Sequence, residues 1–241
     1  MIQLDWTTNP KITPKTISEM ALYPDLKEEL LFYEKNNNFG NLLMMGDTGT
    51  GKTTAARILG GRSAHEIDCA KIKSEGTKGA KTLKEWIVGS STLSLEMVME
   101  QGTTGNTKRV MILDEFHLLS TTLQSNLYKP IEDNTKTTRW IFCVNSEEKV
   151  EAPIKSRCDK VWFSSCILHP KTHKLIMDDT AGITQKEWQE ELTRVGKIIE
   201  KKLDITIPDH IYEKVLSKDG NLIDARQFVR SLNKAYAMSL D

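Results

Sequence analysis

The chain has 241 residues and a formal net charge of zero, with equal numbers of basic and acidic side chains. This length allows one large domain, or a core domain with a small companion, and buries an apolar interior without disulfide bonds. A neutral chain exerts no overall attraction on nucleic acid, so any DNA contact requires a local patch.

The spacing of the cysteines and the lack of a bilayer-length apolar run indicate the cellular compartment. The cysteines stand far apart, with no Cys-x-x-Cys pair and no nearby histidines at zinc-ligand spacing, which favours reduced intracellular thiols. They are Cys69, Cys143, Cys158 and Cys166. No leader-like start and no bilayer-length apolar run is found. The sequence therefore predicts a soluble cytoplasmic protein without membrane contacts.

Apolar runs of strand length alternate with helical patterns in the first two thirds of the chain. The predicted strands are residues 41–45, 66–69, 109–113, 140–144 and 160–163. The predicted helices between them are 25–36, 53–59, 80–86, 121–132 and a short one near Ile154. This alternation predicts an α/β fold, with a five-stranded parallel sheet sandwiched by helices.

After residue 163 the strand-like runs stop and the pattern becomes amphipathic and charged. Apolar residues over 188–203 recur at helical spacing, Pro208 opens a helix to about Ser217, and a last helix runs from about Asp224. The sequence predicts two domains: an α/β domain over 1–166 and a small all-helical domain over 167–241.

A glycine-rich loop follows the first predicted strand and precedes a helix. Its residues are Gly46, Asp47, Thr48, Gly49, Thr50, Gly51, Lys52, Thr53 and Thr54. They match Gly-x-x-x-x-Gly-Lys-[Ser/Thr], in which backbone N–H groups and a helix N-terminus surround an anion. We expect Lys52 to reach the β- and γ-phosphates of ATP and the Thr53 hydroxyl to ligate Mg²⁺.

Two carboxylates end the third predicted strand. The run Val-Met-Ile-Leu before Asp114 and Glu115 is typical of a Walker B strand. Asp114 would hold Mg²⁺ through water, and Glu115 would polarise the attacking water. The alternative is an acidic surface turn, which the phosphate loop upstream disfavours.

Asn145 ends the fourth predicted strand, and Ser156-Arg157-Cys158 precedes the fifth. The Asn145 amide would bond either the γ-phosphate or the attacking water. Asparagine also ends strands simply because it suits turns, so this residue alone is weak support.

Together these motifs resemble the AAA+ clamp-loader ATPases over nearly the whole chain. The chain looks like the small subunit of replication factor C and, more closely, its tailed-phage counterpart. Further matching stretches are 16–19, Asp114-Glu115-Phe116, the helix with Gln124 and Glu132, and Arg226 six residues before Leu232. A phage origin would put the protein in the host-cell cytoplasm.

The resemblance implies roles for three further polar residues. Arg157 would be an arginine finger acting in trans on the ATP of a neighbouring subunit, where a planar cation stabilises phosphoryl charge. Asn145 would be sensor 1. Arg226, on the helical lid, would be sensor 2 and bond the γ-phosphate within its own subunit. The adenine pocket would begin at Ile17, Met20, Leu22 and Tyr23.

Simpler interpretations of the two arginines stay open. Arg157 is otherwise an ordinary surface arginine. Arg226 lies near Asp224 and Arg230 on one helix, so either arginine could be a solvated ion-pair partner.

The implied partners are other subunits in a homo- or hetero-oligomeric ring, a sliding clamp, and primer–template DNA. DNA backbone contacts would use a lysine cluster that includes Lys78 and Lys81, whereas the interleaved Glu75 and Glu85 favour a solvated loop about equally. Clamp-loader subunits usually carry a third, collar domain, and this sequence stops just after the sensor 2 helix. Whether the collar is naturally missing or was removed stays open.

Two other functions remain as alternatives. One is a different AAA+ DNA remodeller, such as a helicase loader or an initiator. The other is a nucleotide-binding assembly module that hydrolyses weakly, which intact Lys52, Asp114, Glu115 and Arg157 disfavour.

Overall fold

The structure, a computed structural model, describes residues 9–100, 108–163, 185–217 and 224–239. Within them five strands form one sheet in the order β2-β3-β4-β1-β5. The strands are β1 (Leu42–Gly46), β2 (Ala64–Asp68), β3 (Arg109–Asp114), β4 (Thr138–Val144) and β5 (Asp159–Phe163). β1 pairs with β4, β4 with β3, and β3 with β2, each time in parallel. The predicted α/β sheet is confirmed.

Burial follows the position of each strand in the sheet. Every residue of β4 is buried, as are nearly all residues of β1 and β3, whereas the edge strands β2 and β5 are partly exposed. Central strands of a parallel sheet are covered on both faces, so their sequences read as continuous apolar runs. This is why the sequence identifies the three central strands so clearly.

The described helices precede, separate and follow the strands along the chain. They are α1 (Pro24–Asn36), α2 (Lys52–Gly60), α3 (Cys69–Ser74), α4 (Thr77–Glu100), α5 (Thr121–Ser125), α6 (Tyr128–Asp133), α7 (Ala152–Lys155), α8 (Gln185–Leu203), α9 (Asp209–Ser217) and α10 (Ala225–Ala237). Short 3₁₀ helices occupy Ile17–Glu19, Gly61–Ser63, Phe116–Leu118 and Glu147–Lys149. Among the described helices, none combines the length and apolar character needed to cross a bilayer.

Two predicted helices were wrong in extent. The helix predicted over 121–132 is two helices, α5 and α6, because Pro130 has no N–H to donate to the carbonyl of Asn126 and its ring crowds that carbonyl. The helix predicted over 80–86 continues to Glu100 as α4, past Gly89 and a serine pair that favour an earlier end.

Gln124, on α5, connects two loops inside the sheet's core. Its Nε2 donates to the carbonyls of Leu119 (3.1 Å) and Lys149 (2.8 Å), and its Oε1 accepts from the N–H of Glu151 (3.0 Å). The side chain is fully buried. One amide therefore satisfies three backbone groups from two segments about 30 residues apart in sequence.

Replacing Gln124 with leucine is expected to lower the free energy of unfolding by about 3 kcal/mol, because the change leaves buried backbone groups without partners. Chemical denaturation followed by circular dichroism measures this loss. Gln227→Leu, at an exposed position of α10, is the control and should change stability by less than about 0.5 kcal/mol. Equal effects of the two substitutions would contradict the role given to the Gln124 amide.

The chain divides into two compact units. One comprises Tyr33–Gly46 and Lys52–Trp162; the other comprises Met1–Phe32, Asp47–Gly51 and Phe163–Asp241. We call them the sheet unit and the helical unit. The predicted domain boundary after residue 166, with Cys166, lies outside the described residues. Cys69, Cys143 and Cys158 are free thiols.

The helical unit packs the N-terminal segment against α8. The apolar face predicted for this helix is buried at Trp188, Leu192, Val195 and Ile199. The Trp188 ring stacks on Tyr23 with ring centroids 5.2 Å apart. Aromatic stacking of this kind adds to the burial of apolar area and joins the two segments.

Candidate active site

The phosphate loop begins where β1 ends, and helix α2 begins at its lysine. Within the sheet unit, Lys52 is 93% buried, and its Nζ donates to the carbonyl oxygen of Gly46 at 2.6 Å. A buried ammonium requires acceptors, and phosphate oxygens are stronger acceptors than a carbonyl. The lysine is therefore held at the loop, next to the helix N-terminus that favours anions.

A hydroxyl and a carboxylate meet at the carboxyl edge of the sheet. The Oγ1 of Thr53, in the first turn of α2, donates to Oδ1 of Asp114 at the end of β3, at 2.8 Å. Both groups offer the hard oxygen atoms that Mg²⁺ prefers. Among the described residues, no cluster of three or more metal-ligating side chains occurs. A hydroxyl and one carboxylate are ligands that suit Mg²⁺, which retains several waters and takes phosphate ligands.

Glu115 follows Asp114 in a backbone conformation that is uncommon for its type. Its φ is +53°, in the left-handed region, and its N–H donates to Oδ1 of Asp114 at 3.1 Å. Non-glycine residues adopt this region rarely, and such strain is often found at functional sites. The Glu115 side chain is 36% exposed, so its carboxylate is accessible to water.

Asn145 lies directly after β4, and its side-chain oxygen is buried. No hydrogen-bond partner for Oδ1 is present among the described residues. Its backbone N–H donates to Nδ1 of His117 at 3.4 Å. A buried amide oxygen without a protein partner is suited to accept a hydrogen bond from a water molecule.

The middle of the phosphate loop, Asp47–Gly51, belongs to the helical unit. Gly49 and Gly51 have φ angles of +92° and +102°, which side-chain-bearing residues rarely adopt. The Thr50 hydroxyl donates to the carbonyl of Asp47 at 2.8 Å, which tightens the turn. A Cβ on Gly49 would lie 3.4 Å from the carboxylate of Asp224. The start of α10 therefore lies against the loop.

Replacing Gly51 with alanine is expected to weaken ATP binding by about tenfold or more. Holding alanine at such a φ costs about 1–3 kcal/mol, and 1.4 kcal/mol is a factor of ten in affinity. The new Cβ would also lie 2.8 Å from Cε of Met20, although that flexible side chain can move. Titration with a fluorescent ATP analogue measures the loss.

Gly89→Ala is the matched control for this prediction. A Cβ at Gly89 meets no atom of the described residues within 4 Å, and the position lies inside α4. Alanine there should leave ATP affinity unchanged and stabilise the helix by about 1 kcal/mol. Wild-type affinity in Gly51→Ala would contradict the need for this loop conformation.

Arg157 makes contacts inside its own chain. In the sheet unit its guanidinium pairs with the carboxylate of Glu132 on α6 and donates to the carbonyl of Pro153. The side chain is 34% exposed, and that of Glu132 is 52% exposed. An ion pair as exposed as this one is weak, so the guanidinium can exchange partners at small cost.

The remaining predicted residues lie in the helical unit. Arg226 is half-buried in the first turn of α10. In the described part of the chain it makes no ion pair with Asp224, whose carboxylate caps the helix through the N–H of Gln227 at 2.7 Å. The four residues predicted to begin the adenine pocket are all buried: Ile17, Met20, Leu22 and Tyr23.

The structure adds two residues that sequence reasoning missed. His117 contacts both Glu115 and the backbone of Asn145. Arg194, on α8, donates to the carbonyls of Ser18 and Met20, at 2.8 Å each. A histidine two residues after Glu115 was a visible signal. Arg194 gave none, since it resembles an ordinary surface arginine three residues after a glutamate.

Two relatives of the chain by sequence carry similar names. The chain is 23% identical to human replication factor C subunit 4 over 231 residues, which cover 90% of this chain and 64% of that protein. It is 26% identical to the replication factor C small subunit of Methanoregula boonei, with coverage of 95% and 63%. The chain thus spans less than two thirds of the length of these relatives.

Solved structures support the fold. A Thermotoga maritima RuvB variant matches with a TM-score of 0.55 at 18% identity, covering 91% of this chain and 63% of that one. Domain III of the T. maritima replication initiation protein DnaA matches with a TM-score of 0.51 at 13% identity, covering 95% and 98%. At these identities the likeness concerns the fold alone.

A family profile covers the phosphate loop, both carboxylates, Asn145 and Arg157. It describes the ATPase family associated with various cellular activities (AAA) and matches residues 42–165. The match takes in just over half of the 241 residues and confirms the prediction of an ATPase. The chain therefore belongs to the AAA family of ATPases.

Proposed function

We propose that the chain is an ATP-hydrolysing subunit of a sliding-clamp loader, which uses ATP to place a processivity clamp on primer–template DNA during replication. The 2.8 Å contact between Thr53 and Asp114 carries the hydrolytic part of this proposal, because it brings the two nucleotide motifs together. The names of the relatives support the clamp-loading part. A tailed-phage origin stays a prediction.

The catalytic roles follow from the chemistry of each group. Lys52 neutralises charge on the β- and γ-phosphates. The Thr53 hydroxyl and, through water, Asp114 would hold Mg²⁺, which would supply further positive charge there. Glu115 takes the proton of the attacking water as a general base. Asn145 orients that water, for which its unpartnered Oδ1 is suited.

Two arginines complete the site as we propose it. Arg157 exchanges its exposed partner Glu132 for the γ-phosphate of a neighbouring subunit, where its guanidinium stabilises transition-state charge. Arg226 bonds the γ-phosphate of its own subunit. The helix that carries Arg226 begins beside Gly49 of the loop.

Lysines on α3 and α4 are the proposed DNA contact. The lysines of this cluster are all exposed: Lys71, Lys73, Lys78, Lys81 and Lys84. The two helices pack closely, since a Cβ on Gly79 would lie 2.0 Å from the carbonyl oxygen of Ile72. Lys81 already pairs with Glu85 at 3.7 Å, which makes Lys78 the better candidate. Such contacts would neutralise phosphates without reading the sequence.

Steady-state ATP turnover tests the proposal. We expect primed DNA together with the sliding clamp of the same organism to raise kcat, and either one alone to have a smaller effect. Turnover that neither stimulates would contradict clamp loading and favour another AAA DNA remodeller. No turnover under any condition would favour a nucleotide-binding assembly module. Added salt should reduce the DNA effect steeply.

A further inference from the structure

His117 lies between the ends of two neighbouring strands. It is the middle residue of the 3₁₀ helix Phe116–Leu118, directly after Glu115. Its Nδ1 accepts the backbone N–H of Asn145 at 3.4 Å, and its Nε2 lies 3.5 Å from Oε2 of Glu115. The imidazole thus contacts the proposed general base on one side and the end of β4 on the other.

Packing holds the imidazole in this place. Its side chain is only 9% exposed. The preceding residue, Phe116, is fully buried against Phe142 of β4, with ring centroids 4.7 Å apart. The short helix is therefore attached to β4 by an aromatic contact as well as by the imidazole, so His117 has little freedom to turn away from Glu115.

The hydrogen bond at Nδ1 decides which nitrogen carries the proton. Nδ1 accepts a backbone N–H, so in the neutral ring the proton is on Nε2, the atom beside Glu115. Burial lowers the pKa of His117, and the Glu115 carboxylate offsets part of that effect. In its neutral form the ring presents an N–H to the carboxylate.

Glu115 needs such a partner because its own backbone does not determine where its carboxylate lies. Glu115 follows the end of β3 with a left-handed φ of +53°, and 36% of its side chain is exposed. A general base must lie within hydrogen-bond reach of the water it deprotonates. An error of about 1 Å in such a geometry can cost about 100-fold in rate.

We propose that His117 is a positioning residue for ATP hydrolysis: its Nε2–H holds one oxygen of the Glu115 carboxylate, leaving the other for the attacking water. Its Nδ1 ties this arrangement to the backbone at Asn145, so the proposed base and the proposed water-binding amide keep a constant relation. The inference rests on the proposed function, since it takes Glu115 as the base.

Three substitutions separate positioning from packing. His117→Ala removes both polar contacts. His117→Gln can place an amide N–H where Nε2 lies, whereas His117→Asn can place a carbonyl oxygen where Nδ1 lies but cannot reach Glu115. We expect alanine to lower the kcat of ATP turnover about 10- to 100-fold, with KM and the affinity for a fluorescent ATP analogue nearly unchanged. Glutamine should recover much of kcat, and asparagine should not.

Turnover should be measured on the full chain without DNA or clamp, at concentrations where the rate per chain no longer rises. Recovery by asparagine but not glutamine, equal kcat in all three variants, or a change confined to KM would overturn the proposal. Failure of clamp loading appears differently, as a lack of stimulation by DNA and clamp while the order of the three variants persists.

A second measurement is independent of turnover. Nitrogen-15 NMR of the full chain distinguishes the two neutral tautomers of histidine. We expect His117 to carry its proton on Nε2, and we expect its Nε2 resonance to shift in Glu115→Gln but not in Glu148→Gln, a change at an exposed carboxylate of the same unit. A proton on Nδ1, or no response to Glu115→Gln, would overturn the proposal.

Discussion

Glu115→Gln is expected to lower the kcat of ATP hydrolysis by about 10²- to 10⁴-fold, the usual contribution of a general base. The amide has the shape of the carboxylate but cannot take a proton from water. ATP affinity should stay near that of the wild type, because the groups assigned to phosphate and Mg²⁺, namely Lys52, Thr53 and Asp114, are unchanged. Steady-state turnover and titration with a fluorescent ATP analogue measure the two quantities.

Glu148→Gln is the matched control for this substitution. Glu148 belongs to the same unit and is exposed in the 3₁₀ helix Glu147–Lys149, so the same change of charge occurs at a carboxylate that has no assigned role. It should retain wild-type kcat. A folded Glu115→Gln protein with kcat within about fivefold of wild type, far short of a base's usual contribution, would remove Glu115 from the mechanism.

Arg157→Ala is expected to lower kcat by about 10³-fold or more in the assembled protein, as loss of an arginine finger does elsewhere. ATP binding should persist, since this arginine is assigned to the nucleotide of a neighbouring subunit. Two controls accompany it. Arg62→Ala removes an exposed arginine of the same unit, and Glu132→Gln removes the partner of Arg157 but retains the guanidinium. Both should keep most of the activity.

Mixing experiments test whether Arg157 acts in trans. Lys52→Ala subunits lack a working phosphate site but retain the finger, whereas Arg157→Ala subunits retain the site and lack the finger. We expect mixtures to recover part of the activity that neither variant has alone. Recovery should follow the mixing ratio and be largest at intermediate values. If no mixing ratio restores turnover, Arg157 acts within its own chain or only stabilises the fold.

Pro130 shows that the division of the helix predicted over 121–132 could have been predicted from the sequence. A proline ten residues into a predicted helix removes an N–H and crowds the preceding turn, so the division into α5 and α6 follows from a local rule. The extension of α4 to Glu100 does not. Gly89 and its serine neighbours are poor helix formers, and tertiary context commonly overrides such weak preferences.

The side-chain contacts of the site show where sequence reasoning stopped. His117 meets the backbone of Asn145 across 28 residues, and Gln124 meets the backbone of Lys149 across 25. The sequence shows both residues, but it does not show which distant backbone group each one contacts. The ion pair of Arg157 with Glu132 likewise joins residues 25 positions apart, and no sequence feature near either residue predicts it.

The sequence alone determined the parallel sheet, the phosphate loop and the carboxylates that end β3. These features depend on local causes: glycines that tolerate positive φ, apolar runs buried on both faces, and a lysine and a threonine at the start of a helix. Tertiary structure alone decided which groups meet, including His117 with the backbone of Asn145, Arg157 with Glu132, and Asp224 with the loop at Gly49. Such pairs depend on how distant segments pack, and the spacing of residues along a chain does not contain that information.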